Sequence, residues 1–163
     1  MFYTRFNTTA GEMLAFSEQD KLTGLYFSRQ KKLPYLPHYQ QLAQSSNALE
    51  YALFAETRNQ LEAYFNGELQ QFTLPLAPHG SDFQCQVWQQ LSKIPYGSTV
   101  TYKWMADQLA KPKAVRAIAQ AIGKNPLIIC TPCHRVIATS GKLAGYSAGL
   151  DIKEYLLKLE GVL

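Results

Sequence analysis

Short runs dense in aromatic and aliphatic residues open the chain. Met1 to Phe6, Glu12 to Phe16 and Leu22 to Ser28 are separated by Thr-Ala-Gly and Gln-Asp-Lys turns, the pattern of a small sheet of strands on tight connections. After a polar, proline-bearing passage from Lys31 to Ser46 the period lengthens. Leu49, Leu53, Leu61 and Phe65 recur at multiples of four, and Asn47 is followed three residues later by Glu50. That combination predicts an amphipathic helix opened by a capping box and ending near Gly67. A further short strand is expected at Gln71 to Leu74. The breaker-rich passage Pro75-Leu76-Ala77-Pro78-His79-Gly80 then predicts a boundary between two domains, 1–78 and 79–163.

Ser81 and Gln84 form a second capping box, with Phe83, Val87, Leu91 and Ile94 on one helical face and Pro95-Tyr96-Gly97 as the stop. Thr101 can cap a short helix reaching Leu109. Lys111-Pro112 breaks it, and an alanine-rich helix is expected from Lys113 to Ile122. Two short helices joined so tightly are a helix-turn-helix candidate, and equally an αα-hairpin that only packs a core. The fold class is therefore mixed α/β: a small N-terminal sheet-plus-helix domain, then a helical C-terminal domain.

Charge changes this picture more than composition does. A chain of 163 residues, 47% hydrophobic and 17% charged, has the make-up of an ordinary folded protein rather than a disordered one. Residues 1–80 hold six Lys/Arg against seven Asp/Glu, and residues 81–163 ten against five; the second half carries the basic bias of a surface that meets phosphates. Ala114, Ala117, Ala119 and Ala121 leave its second helix slim, with Lys113, Arg116 and Lys124 as the long side chains, a form that can sink into a groove. No run approaches the roughly 18 apolar residues of a membrane span, and Met-Phe-Tyr-Thr-Arg-Phe does not open a signal peptide. Three cysteines are too few for a disulfide framework, so a cytoplasmic protein with free thiols is expected.

The densest chemistry lies in Cys130-Thr131-Pro132-Cys133-His134-Arg135-Val136-Ile137. As Cys-x-x-Cys-His it matches covalent haem attachment, which calls for export. As a zinc site it lacks a second ligand pair, and adjacent Cys133 and His134 do not easily share one ion. As a redox dithiol it should open a helix, whereas Val136 and Ile137 prefer a strand. What remains is one nucleophilic thiol beside an imidazole. Cys85 and Cys130 read as inert core, and Cys133, set between Pro132 and the basic pair His134-Arg135, as the reactive one.

These residues resemble the O6-alkylguanine-DNA alkyltransferases. The resemblance runs through Asn125-Pro126, Pro132-Cys133-His134-Arg135-Val136, Gly145-Tyr146-Ser147, Lys153, Leu156-Leu157 and Glu160. Upstream it includes Val87-Trp88, Ile94-Pro95-Tyr96-Gly97, Thr101-Tyr102 and Arg116-Ala117-Ile118. It is strong over residues 83–163 and extends to the first 80 only in general layout.

The resemblance implies a ribonuclease H-like N-terminal domain and a winged helix-turn-helix-like C-terminal domain that enters the minor groove of double-stranded DNA. The activity implied is direct-reversal repair: stoichiometric, irreversible transfer of the alkyl group from O6-alkylguanine, with O4-alkylthymine as a second candidate, onto Cys133. His134, held by Glu160, relays the Cys133 proton through a water, and Asn125 ties down the turn. Tyr102 and Arg116 extrude the nucleotide, with Ala117, Ala121 and Lys124 also on the DNA side. Tyr102, Ser147, the Val136 carbonyl and the Tyr146 segment form the base pocket. A monomer without cofactor or metal is implied, and the first 80 residues contain no cysteine for the zinc site of some relatives. A thioether cannot be hydrolysed back, so each molecule acts once. The competing functions are a non-catalytic protein that binds alkylated DNA and a Cys-His hydrolase, which would turn over repeatedly.

Overall fold

The computed structural model describes residues 1–42 and 47–163, which form two compact units, Met1–Pro78 and His79–Leu163. In the first, β1 (Phe2–Thr8), β2 (Gly11–Glu18) and β3 (Lys21–Phe27) make an antiparallel meander, and β4 (Gln40–Gln41) adds in parallel to β1, giving the order β3-β2-β1-β4. The β2–β3 turn places Gln19 and Asp20 at φ +50° and +59°, the two left-handed residues that a two-residue hairpin of matching twist requires. On one face of the sheet Phe16 packs against the rings of Tyr3, Tyr26 and Tyr39. The other face meets α1 (Ala48–Phe65), whose buried stripe includes Leu53, Phe54, Leu61 and Phe65.

Two expectations need correction here. Leu49 is 65% exposed, and Glu50 takes the inward place. Asn47 caps the helix by accepting from the Leu49 and Glu50 amides, but Glu50 does not return the bond. Its Oε1 accepts instead from the Asp20 amide, 3.1 Å away in the hairpin turn; tertiary demand has taken half of the capping box. Gln71 to Leu74 form no strand. The chain there is fixed further on, where the Leu22 amide donates to the Pro75 carbonyl at 2.8 Å and the Ala77 amide to that of Leu22 at 2.9 Å.

The second unit is a helical cluster with a two-stranded parallel ribbon. Its elements are α2 (Asp82–Leu91), β5 (Val100–Thr101), α3 (Tyr102–Gln108), α4 (Val115–Gly123), β6 (Val136–Ile137) and α5 (Leu150–Leu159). The Ser81–Gln84 capping box is complete. The α3 helix ends in a Schellman pair, with Ala110 at φ +55°, its amide on the Asp107 carbonyl and that of Lys111 on the Ala106 carbonyl. This stops α3 and lets α4 begin after Pro112. Helices α2, α3 and α4 pack on one another, and the Trp88 indole donates across to the Ala121 carbonyl at 2.9 Å. Helix α5 was not anticipated, although Ile152, Leu156 and Leu157 are its buried apolar residues. Among the described residues no helix is long and apolar enough to cross a membrane.

Candidate active site

The parallel pairing Val100↔Val136 and Thr101↔Ile137 brings together two points that are distant in sequence. Tyr102 begins α3 immediately after β5, and Cys133 lies just before β6 in a single 3-10 turn, Cys133–Arg135. The approach to Cys133 is two tight turns. The Cys130 amide donates to the Ile128 carbonyl at 2.9 Å around Ile129 at φ +72°, and the Cys133 amide to the Thr131 carbonyl at 2.8 Å around Pro132 at φ −81° and ψ +63°. The second is the common inverse γ-turn, which suits the fixed φ of proline. The first is the rare γ-turn, and a buried β-branched residue held there costs on the order of 1–3 kcal/mol, sustained only when its surroundings over-determine it.

Asn125 supplies much of that constraint. Buried at the C-terminal end of α4, it accepts the Leu127 amide on Oδ1 at 3.0 Å. Its Nδ2 donates to the Thr131 carbonyl at 2.8 Å and to Cys133 Sγ at 3.1 Å. One amide group thus fixes both the turn and the thiol.

Burial dominates the electrostatics. Cys133 is 3% exposed, and desolvation pushes its thiol above the ordinary cysteine range, against the pull of the Asn125 hydrogen bond, the Lys153 charge and a hydrogen bond from Tyr146. The basic neighbours read in the sequence therefore do not make a resting thiolate. Burial likewise lowers the pKa of His134; contact with Glu160 opposes the shift, and the Arg135 and Lys153 charges reinforce it. His134 Nε2 stands 2.7 Å from Glu160 Oε1. Glu160 also accepts a two-pronged guanidinium bond from Arg135, Nε to Oε2 and Nη2 to Oε1, both at 2.9 Å. A carboxylate so engaged only accepts. Nε2 must carry the hydrogen, leaving Nδ1 as a lone-pair base that meets no partner among the described residues.

In front of the thiol lies a cavity of about 440 Å³ whose lining includes Tyr102, Ala119, Cys133, Tyr146 and Ser147. Burial and the neighbouring Cys133 raise the Tyr102 pKa, so its phenol remains a donor. Lys153 was quoted in the sequence without a role. Its side chain is fully buried and donates to the Val136 carbonyl at 2.6 Å and the Gly145 carbonyl at 3.3 Å, joining β6 to the Tyr146 segment, while burial lowers its pKa to about 8. The Val136 carbonyl named for the base pocket thus already accepts from Lys153, and Val136 is fully buried and not among the residues that line the cavity.

The structure brings Tyr102, Cys133, Tyr146 and Ser147 to one cavity, with Asn125 bonded to Cys133 and with His134, the next residue in the same turn, paired with Glu160. Arg116, Ala117 and Lys124 are exposed on α4 or at its end. Ala121 is the exception: at 3% exposure it packs inward and offers DNA no surface. Cys130 is the second departure from simple core packing. The residue keeps partial exposure while burial pushes its thiol up to about 12, and Cys85, also partly exposed, lies 3.8 Å from the Gly80 carbonyl.

Residues 1–78 match the family model described as the ribonuclease-like domain of 6-O-methylguanine DNA methyltransferase, and residues 82–162 match the DNA binding domain of the same family. The chain belongs to that family. It is 45% identical to the methylated-DNA–protein-cysteine methyltransferase of Methanosarcina acetivorans over 99% of both chains. It is 38% identical to the constitutive one of Bacillus subtilis over 99% of this chain and 96% of that one. Among solved structures, Mycobacterium tuberculosis OGT in complex with DNA superposes with a TM-score of 0.87 at 38% identity, covering 98% of this chain and 92% of that one. The two-domain mixed α/β architecture expected from the sequence is that of this methyltransferase family.

Proposed function

We propose that this chain repairs DNA by direct reversal, moving the alkyl group of O6-alkylguanine onto Cys133 Sγ. What supports this reading is a buried thiol facing a cavity large enough for a base, with the His134 imidazole in the same turn keeping Nδ1 as a lone-pair base. Cys133 gives up its proton toward His134, and the sulfur pair forms an S–C bond as the C–O6 bond breaks. The departing guanine oxygen takes the electron pair of the broken bond, with the Tyr102 hydroxyl as a hydrogen-bond donor at the cavity wall, and the proton given up by Cys133 passes from His134 by way of water to the base, so that the site ends neutral. The thioether has no hydrolysable bond, so each molecule reacts once.

DNA is the partner, and double-stranded DNA carrying alkylated guanine the substrate. Residues 79–163 bind it and accept the alkyl group, and residues 1–78 form a separate α/β domain. A thiol inside a cavity is out of reach of a stacked base, so the nucleotide leaves the helix at a cost of a few kcal/mol. Exposed Arg116, Ala117 and Lys124 on α4 form the DNA side, and Tyr102, Tyr146 and Ser147 the base pocket. The protein acts as a monomer in the cytoplasm, where a free thiol survives.

Incubation with a duplex containing O6-methylguanine should add one methyl group per molecule to the intact mass, on the peptide bearing Cys133. An unchanged mass, or a label on another residue, would reject the assignment. Arg116→Ala should slow repair in duplex DNA by at least about tenfold, since it removes the side chain that offsets the extrusion cost. Transfer from the free modified base should stay within about twofold; equal losses on both substrates would contradict the role.

A further inference from the structure

The motif Ile94-Pro95-Tyr96-Gly97 and the arginine after His134 have no part in the transfer as described, yet they converge on Glu160. Oε1 accepts from His134 Nε2 at 2.7 Å and Arg135 Nη2 at 2.9 Å; Oε2 accepts from Arg135 Nε at 2.9 Å and the Gly97 amide at 3.3 Å. An ionised carboxylate has about four acceptor positions, and all four are taken. Arg135 is itself fixed by the same turn. Its Nη1 donates to the Ile94 carbonyl at 2.7 Å, and its guanidinium lies 5.7 Å from the centre of the Tyr96 ring. Gly97, at φ +75°, presents its amide to Glu160. Arg135 and Glu160 are both about 6% exposed, so solvent does little to weaken the pair.

We propose that Arg135 is a positioning residue that sets the charge state of the relay: by matching the charge of Glu160 it keeps His134 a neutral Nε2–H imidazole, able to receive the Cys133 proton. The proposal rests on the alkyl-transfer reading for its purpose but not for its test. A lone Glu160 carboxylate beside a buried imidazole would favour imidazolium, which bears hydrogen on both ring nitrogens and can accept none. With Arg135 in place the carboxylate orients His134 without charging it. The other charged or titratable groups around His134 act in known directions. Lys153 on α5 disfavours imidazolium and Glu160 favours it. Cys133 precedes it in the same turn, and Tyr96 approaches from the α2–β5 connection through Arg135 and Glu160. Because the acceptor is consumed in one event, a site resting as thiol and neutral imidazole also spares Cys133 from unwanted electrophiles.

The test is the titration of His134 by ¹⁵N and ¹³C NMR in the unalkylated protein, beside the pH dependence of single-turnover transfer. In the parent protein His134 should stay a neutral Nε2–H tautomer over about pH 6 to 8. Arg135→Gln should raise its protonation midpoint by about one pH unit or more and move the acid limb of the transfer rate with it. Arg135→Lys, which keeps the charge but loses the fork, should leave His134 neutral. The double variant Arg135→Gln/Glu160→Gln should return it to neutral. An imidazolium in the parent protein, an unshifted His134 in Arg135→Gln, or a charged His134 in Arg135→Lys would each overturn the proposal. If Arg135→Gln does not fold, the parent and Arg135→Lys titrations decide. A parent protein with neutral His134 that transfers no alkyl group would instead defeat the repair reading and leave the charge assignment standing.

Discussion

Replacing Cys133 with serine should end alkyl transfer while DNA affinity stays within about twofold of the parent. The chemistry is displacement at an sp³ carbon, where a sulfur nucleophile is strong and a neutral hydroxyl is poor. Even with the same imidazole as base, the hydroxyl starts from a far higher pKa than the thiol and offers a harder, less polarisable nucleophile to a saturated carbon. The rate should fall by on the order of 10⁴ or more, the scale on which loss of a catalytic nucleophile is felt. Affinity should survive because Cys133 is 3% exposed and the α4 residues facing solvent, Arg116 and Ala117, are untouched. Measuring duplex binding and transferred label on one preparation separates the two. Transfer retained in the serine variant would remove Cys133 as the acceptor, and a matching collapse of binding would point to misfolding.

What the sequence disclosed about the fold follows the range of the forces involved. Turn residues and caps are local, so the Gln-Asp hairpin, the Ser81–Gln84 box and the Lys111-Pro112 break could be read directly. The expectations that failed are those decided by distant partners. Glu50 left its capping box for an amide thirty residues away, and Leu49 moved outward with it. Gln71 to Leu74 had strand-like residues but no strand to join. Ala121 belonged to a helix correctly judged slim, yet spacing could not say which alanines face inward. Helix α5 escaped because buried Lys153 interrupts its apolar pattern at a place the site requires, and Glu160, also buried, caps its end.

The same division holds at the site. Cys133 beside His134 is a local feature, and its chemistry could be narrowed to a nucleophilic thiol from the residues alone. Glu160 and Asn125 came only through resemblance, since nothing local joins them to Cys133. Closure over 25 residues from Arg135 to Glu160, and over 41 from Arg135 to Ile94, appears only when the chain has folded. Nor could residue types reveal that desolvation outweighs the nearby cations at Cys133. The basic neighbourhood marked Cys133 as the reactive thiol without fixing its protonation, and burial makes it a guarded one.

Asn125→Ala should affect both stability and rate. It leaves the Leu127 amide, the Thr131 carbonyl and the Cys133 thiol without their side-chain partner, and all three residues are buried. Only the Leu127 amide is orphaned outright, at about 1–3 kcal/mol, because the Thr131 carbonyl keeps the Cys133 amide and the thiol keeps Tyr146; with two further hydrogen bonds lost at about 0.5–1.5 kcal/mol each, a total of roughly 2–4 kcal/mol is expected. For a chain of this size that lowers the melting temperature by roughly 10 °C. The strained φ of Ile129 offsets part of the effect, because the turn can relax once Asn125 no longer spans it. The hydrogen bond also favours the thiolate, so its loss raises the Cys133 pKa further and slows transfer even where the variant is fully folded. Thermal unfolding followed by circular dichroism, with single-turnover transfer measured well below the lower melting point, reads the two effects separately. A variant melting within a degree or two of the parent would show that the turn holds itself. A slowed reaction in such a stable variant would leave Asn125 acting on the sulfur alone, whereas an unstable variant reacting at the parent rate would confine it to the turn.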